Sequence, residues 1–376
     1  MIAQDGRRGI ESQYNPLRMV RQGGSARDPN LDLVRAFAIT AVMAAHGPKL
    51  FPLQGALGHG VDVFFVLSGF LIGRIFLRME QGGLSLLRFW SDRWLRTLPA
   101  YYFVLLGGLV AGHVLGSPWT LRDFQGKLWE YLVFFQNYDA VSFAHPGHPF
   151  QVSWSLCVEE QFYFALPLLL LAARGRLARL MLVGGVIVAS PWARHLDARD
   201  WQRTWAMTHI RFDGIGYGVL AAFLSAWWPA QVARLRPWAR PVSLAWLLLF
   251  ASRCFGWPAR LDYLSLLNAT TSLVLLCVAG AAPLPGAVSA WSRWGSALAY
   301  SLYLTHSKSY GLFDAVWRFT PVGLLPAFLK WPLIVSLTLV PALILYRLVE
   351  QPGLALRERV RRRLAGARPA PPGSAG

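Results

Sequence analysis

Apolar runs of membrane-spanning length alternate with short polar, mostly basic segments from residue 31 to residue 348. A helix that crosses a bilayer needs about 20 mostly apolar residues. Ten segments meet this requirement, at approximately 31–50, 57–78, 97–116, 150–172, 178–195, 210–229, 241–257, 264–282, 296–318 and 324–348. The pattern predicts an all-α polytopic integral membrane protein. It divides the chain into an N-terminal segment (1–30), a transmembrane domain (31–352) and a basic, Pro- and Gly-rich tail (353–376) expected to be largely disordered. The first thirty residues are polar, and no apolar stretch directly follows Arg7 and Arg8. No cleaved signal peptide is expected, and the first span acts as the insertion signal. Between the third and fourth spans, residues 117–149 carry Trp119, Trp129 and Tyr131, aromatics suited to an interfacial or re-entrant element. There is no internal repeat.

Composition strengthens this picture. Apolar residues make up 55% of the chain and charged residues only 15%, well below the roughly 25% of soluble domains, which argues against a water-soluble protein. The net charge of +18 is unevenly placed. Of the 37 Lys and Arg residues, 24 fall on one side of the ten spans and 8, Arg194 among them, in the loops on the other. Cytoplasmic loops retain Lys and Arg, so both termini are expected in the cytoplasm and the span count should be even. The basic clusters alternate with spans and form no single patch, which argues against nucleic acid and makes anionic headgroups the nearest partners. Cys157, Cys254 and Cys277 stand singly in apolar stretches, so neither a disulfide framework nor a metal site is expected.

Ionisable groups inside spans are costly and are functional candidates. Arg35 and His46 share the first span, eleven positions apart, which puts them on nearly one face and separates them by roughly 16 Å. The plainer alternative is that Arg35 snorkels to headgroups, paired with Asp32, while His46 is wet at the outer interface. Asp62 opens the second span, and Glu159 and Glu160 follow Trp154 and Ser155 at the start of the fourth. All three carboxylates are expected at the depth of His46. A histidine beside a carboxylate is the usual general base, and the residues alone leave open which carboxylate pairs with His46. Arg93 and Arg96, just before the third span, present two guanidinium forks on one face if that stretch is helical, an arrangement suited to bidentate phosphate contact. An ordinary positive-inside flank is the alternative. A phosphate-like site inside and a carboxylate–histidine cluster outside describe an extended anionic donor threaded through the bilayer.

Taken in order, these motifs resemble the acyltransferase 3 family, bacterial integral-membrane O-acyltransferases of envelope glycans. The marks are Leu31-Asp32 with Arg35 and His46; Gly60-Val61-Asp62 through Ser68-Gly69-Phe70; Arg93-Trp94-Leu95-Arg96 followed by Pro99; and Trp154-Ser155-Leu156 with Glu159-Glu160-Gln161-Phe162-Tyr163. Then come Arg211 with Asp213; Ser301-Leu302-Tyr303-Leu304-Thr305-His306; and Tyr346 with Glu350 and Pro352. The resemblance implies an acyl-CoA co-substrate, commonly acetyl-CoA, bound from the cytoplasm, with no permanently bound cofactor. It also implies a glycan or lipid-linked glycan acceptor, such as lipopolysaccharide or another envelope polysaccharide, at the outer face. His46, Asp62 and Glu160 become the expected catalytic residues, and Arg35, Arg93 and Arg96 the expected donor-binding residues. Trp154, Ser155, Glu159, Tyr163, Arg211, Tyr303, His306 and Lys308 are further candidates. Where many relatives have a small residue and Pro after the histidine, this chain has Ser307-Lys308. Ser68 is a conceivable acyl carrier, though a packing role beside Gly69 is the simpler expectation. The rival class is a polytopic transporter or flippase that moves an acyl or glycan unit without chemistry, since intramembrane Arg, His and Glu also mark proton-coupled pathways.

Overall fold

The structure is a computed structural model that describes residues 28–50, 52, 54–82, 84–114, 127–139, 150–197, 204–255, 262–281, 286–317 and 325–366. Among these residues there is no strand. Each of the ten expected segments contains a helix: α1 Pro29–His46, α2 Gly60–Glu80, α3 Leu86–Val114, α4 Trp154–Ala172, α5 Gly175–Leu196, α6 Phe212–Trp227, α7 Ala239–Ser252, α8 Asp262–Val278, α9 Gly286–Trp317 and α10 Ala327–Leu345. One turn of π-helix, Tyr346–Glu350, joins α10 to an eleventh helix, α11, at Gln351–Gly366. Among the described residues, five stretches, containing α2, α3, α4, α5 and α10, are long and apolar enough to cross a membrane. α6 and α8 are shorter apolar helices. The bundle faces outward with apolar side chains, including Val110 on α3, Met181 and Val188 on α5, Leu248 on α7 and Phe328 on α10. Such a surface is solvated by lipid and not by water.

Small residues set the centre of the bundle. α2 and α6 cross so closely that a methyl group at Gly69 would overlap the Ile215 carbonyl, and one at Gly218 the Val66 carbonyl. At Gly73 a Cβ would lie 2.7 Å from that of Ala222. Without a hydrophobic drive between helices in lipid, close backbone packing of this kind is a main source of association. α1 is pinned at its start: the Asp28 carboxylate accepts from the Asn30 amide (3.0 Å) and from the Gly280 amide (2.9 Å). The Asn30 side chain donates to the carbonyls of Val278 and Ala281, each at 3.0 Å. These bonds satisfy the open ends of α1 and α8 together.

Two expectations change. The third helix begins at Leu86, about ten residues earlier than its apolar run, so Arg93 and Arg96 lie on the span's own helix. Arg194, counted with the outer loops, is fully buried within α5. Its guanidinium bonds Asp213 on α6 in a two-pronged pair (3.1 and 2.8 Å), Ser265 on α8 (2.5 Å) and the Ile210 carbonyl (2.6 Å). The segment at 127–139 turns inward, with Tyr131, Gln136 and Asn137 buried while Trp129 stays exposed. His145, His148 and Trp119 lie outside the described residues.

Gly218→Ala forces the α2–α6 crossing apart, and overpacking of this kind costs about 1–3 kcal/mol or more. We expect a lowered melting temperature in detergent, followed by intrinsic fluorescence, whereas alanine at Gly184, which has open space around it, leaves the melt unchanged.

Candidate active site

A cavity of about 720 Å³, counting its open mouth, lies among α1, α2, α3, α4 and α9. Helical spacing explains what lines it. Arg93, Arg96 and Thr97 stand at i, i+3 and i+4 on α3; Ser155, Glu159 and Tyr163 stand at i, i+4 and i+8 on α4. Arg35 comes from α1, Ser68 from α2, and Tyr300 and Tyr303 from α9. All three guanidinium groups expected for the donor therefore line one pocket.

The polar groups of this pocket are mostly committed to one another. Ser68 donates to Glu159 Oε1 (2.7 Å) and Tyr163 to Glu159 Oε2 (2.9 Å). Arg93 stacks over the Tyr163 ring at 4.0 Å, and its Nε has no hydrogen-bond partner. Arg35 donates to Ser296 (2.9 Å) and Asp32 (3.3 Å), and Ser296 donates to the same Asp32 oxygen (2.5 Å). Thr97 donates to Glu160 Oε1 (2.9 Å), while Glu160 Oε2 is buried without a partner. Tyr300 donates to the Thr97 carbonyl (2.8 Å) and ties α9 to α3.

From the far end of the pocket a polar column continues toward the end of α1. Tyr303 donates its hydroxyl proton to the Val152 carbonyl (2.6 Å), so Ser155, 2.5 Å away, is the donor to the tyrosine oxygen. One turn along α9, His306 is fully buried, its Nδ1 2.7 Å from the Tyr303 carbonyl and 3.2 Å from that of Leu302. Its ring meets that of His46 edge-on, with centroids 5.0 Å apart. His46 Nδ1 lies 2.8 Å from the Val42 carbonyl. A carbonyl only accepts, so both neutral histidines carry their proton on Nδ1 and present Nε2 as a lone pair. His306 Nε2 is buried without a partner.

The carboxylates fall elsewhere than expected. Asp62 bridges Arg211 Nη1 (3.0 Å) and His59 Nδ1 (2.9 Å) and does not bond His46. Glu159 and Glu160 share the depth of Arg93 and Thr97, not of His46, because α4 enters the bundle already buried: Phe150, Ser153 and Trp154 ahead of them are all core residues. No carboxylate bonds His46 among the described residues. Trp154 packs edge-on against Phe65 and Trp205, and the Arg211 guanidinium lies 5.3 Å from its ring centre. Lys308 donates to the Leu304 carbonyl (3.3 Å) and lies 4.6 Å from the centre of the Phe150 ring. The side chain of Asp314, six positions further along α9, lies outside the described residues. The groups with potential metal-ligating chemistry form no cluster among the described residues.

Sequence reasoning missed several members of these networks. Thr97 and Tyr300, which hold Glu160 and the α3–α9 contact, are unremarkable residue types. His59 is separated from Asp62 by a helical i, i+3 interval that could have flagged the pair. Ser301 donates to Glu350 (2.7 Å), joining two motifs that stand 49 positions apart.

An all-α bundle with a lipid-facing exterior and a cationic pocket within it defines a membrane protein built around a buried polar site. The family model for an acyltransferase domain, Acyl_transf_3, matches residues 28–347, and the chain belongs to that family. It is 27% identical over 356 residues to the peptidoglycan O-acetyltransferase OatA of Listeria monocytogenes serovar 1/2a (strain ATCC BAA-679 / EGD-e), covering 86% of this chain and 55% of that protein. A Bacillus subtilis (strain 168) protein with the provisional name peptidoglycan O-acetyltransferase YrhL is 27% identical over 365 residues, covering 86% of this chain and 54% of its own length. Another, provisionally named O-acetyltransferase SACOL0978 of Staphylococcus aureus (strain COL), is 31% identical over 219 residues, 54% of this chain and 35% of that protein. The chain thus spans about half the length, or less, of these curated relatives. No solved structure matches it.

Removing one partner of a buried ion pair leaves a charge stranded and costs about 3–5 kcal/mol. Arg194→Met should therefore lower the melting temperature sharply in a detergent melt, and the double variant Arg194→Met/Asp213→Leu should recover a substantial part of the loss.

Proposed function

We propose that this protein is a membrane-bound O-acyltransferase that moves an acetyl group from cytoplasmic acyl-CoA to a glycan hydroxyl at the outer face of a bacterial inner membrane. In this reading the ten helices all span, and both termini are cytoplasmic. The observation that carries it is that Arg35, Arg93 and Arg96 line one pocket together, continued by the Ser155, Tyr303, His306 and His46 column. Three guanidinium groups in an apolar bundle suit a polyanionic donor. The column supplies groups of the kind an acyl transfer needs beyond it. Membership of an acyltransferase family sets the reaction class, and acetyl transfer to peptidoglycan is the activity named for two relatives. Peptidoglycan is accordingly the first acceptor to test.

In the proposed mechanism the donor phosphates rest on Arg93 and Arg96, with Arg35 deeper in the pocket, and the pantetheine arm points the thioester toward His46. His46 acts through Nε2. The acceptor hydroxyl gives its proton to this nitrogen as its oxygen attacks the thioester carbonyl; the C–S bond then breaks, and the proton passes to the departing thiolate. The orienting partner of His46 is the Val42 carbonyl in place of a carboxylate. Asp62 and Glu160 then serve as positioning residues, Asp62 holding Arg211 at Trp154 and Glu160 holding α3 through Thr97.

The reading is tested with purified full-length protein, labelled acetyl-CoA and a glycan acceptor. CoA release that depends on the acceptor supports an enzyme, and glycan movement without CoA release would identify a carrier. His46→Ala should lower turnover by about 10²–10⁴-fold while membrane insertion and the melting temperature are retained; normal turnover would remove His46 from the mechanism. Replacing Arg93 and Arg96 together with Gln should weaken acetyl-CoA binding by tenfold or more, since a hydrogen bond to a charged group contributes about 1.5–3 kcal/mol. Unchanged affinity in a binding titration would contradict their assignment to the donor.

A further inference from the structure

α11 begins beyond the part of the chain that the family model matches, yet it packs on the helix that carries Arg93 and Arg96. Pro99 has no N–H to give the Leu95 carbonyl, and Gly353 of α11 lies against that carbonyl. A Cβ on Gly353 would sit 2.9 Å from the Leu95 oxygen and 3.5 Å from Pro99 Cγ. Four and eight positions further along, Arg357 and Arg361 stand on the same face of α11 as Gly353. Arg361 closes the contact at its other end, donating from Nε to Asp92 Oδ1 at 2.6 Å. Arg357 is thus stationed between these two anchors, over the turn of α3 that carries Asp92 and Arg96. Its charge is felt by both Arg96 and Arg361, and its Nε is buried without a hydrogen-bond partner. Arg78, at the end of α2, adds a further cation near Arg361. The guanidinium groups of Arg96, Arg357 and Arg361 therefore gather around Asp92, with Arg78 near Arg361 and Glu358 paired with Arg361 and Arg362 on the exposed side. Like charges held this close, one of them with a buried donor unspent, mark a place where an anion completes the structure.

We infer that α11 forms the outer wall of the donor site and that Arg357, with Arg96, binds the phosphorylated nucleotide end of acyl-CoA. The inference rests on the acyl-CoA reading above and extends it to residues outside the family match. A phosphate monoester carries about −1.5 to −2 charges near neutral pH, and a guanidinium fork bonds it in two places. Anionic phospholipid headgroups offer the same chemistry, so the test has to separate the two sources.

Steady-state kinetics would be measured on the full chain in nanodiscs with two donors, acetyl-CoA and S-acetyl-4′-phosphopantetheine, which lacks the nucleotide. Arg357→Gln should raise KM for acetyl-CoA by about tenfold and leave KM for the truncated donor within about twofold, with kcat little changed for either. Arg357→Lys, which keeps the charge but loses the fork, should recover part of the difference. The result should be the same in phosphatidylcholine nanodiscs and in those containing phosphatidylglycerol. Equal KM changes for both donors, no change for either, or an effect confined to phosphatidylglycerol would overturn the inference. If the unaltered protein turns over acetyl-CoA while Arg357→Gln fails to discriminate between donors, only the role of α11 is lost. If the unaltered protein releases no CoA at all, the acyl-CoA reading fails, and this inference with it.

Discussion

A polar group inside an apolar bundle has to find its partner within the protein, because lipid offers none. That constraint organises this molecule. Arg194 on α5 and Asp213 on α6 meet with both groups excluded from solvent, and Ser265 on α8 bonds each of them. Arg211 and Asp62 join α6 to the start of α2. Asp32, Arg35 and Ser296 join α1 to α9, and Glu350 reaches Ser301 from the π-turn after α10. Each pairing fixes the rotation of a helix about its own axis, which general apolar packing leaves loosely defined. The glycine crossing of α2 and α6 sets how near the helices come, and the buried polar pairs set which faces meet.

The same constraint shapes the pocket. Of the carboxylates near it, Glu159 is held by Ser68 and Tyr163, Glu160 by Thr97, and Asp32 by Ser296 and Arg35. The guanidinium groups of Arg93 and Arg96 line the same cavity, and that of Arg93 lies over the Tyr163 ring. Farther along, two histidines have their tautomers set by carbonyls one turn earlier on their own helices. A ring oriented by its own helix needs no second element to hold it.

Much of this architecture was legible in the sequence, for definite reasons. The ten apolar runs each hold a helix because length and hydropathy dictate helices in lipid, and Arg93 and Arg96 share a face because i, i+3 spacing does not depend on what surrounds it. The limits are equally physical. Glu159 and Glu160 lie at another depth than the apolar pattern predicts, since Phe150 and Ser153 are buried before α4 begins and hydropathy does not say how deep a helix starts. Arg194 read as a loop charge because its partner, Asp213, stands on another helix. The pairing of Asp62 with Arg211 and His59 in place of His46 likewise depends on the rotation of α2, which periodicity does not specify. Lastly, the segment from 353 onward read as a largely disordered tail, whereas residues up to Gly366 belong to a helix anchored by Gly353 and by the bond from Arg361 to Asp92.

The central claim is that the acyl group, and not the intact donor, crosses from one side of the membrane to the other. The most direct test uses sealed, inverted membrane vesicles with a peptidoglycan fragment trapped inside and acetyl-CoA outside, labelled separately on the acetyl group and on the adenosine. The account predicts acetyl label on the enclosed glycan, CoA released outside and no adenosine label within. Adenosine label accumulating in the lumen, or acetyl label that never reaches the enclosed glycan, would contradict it.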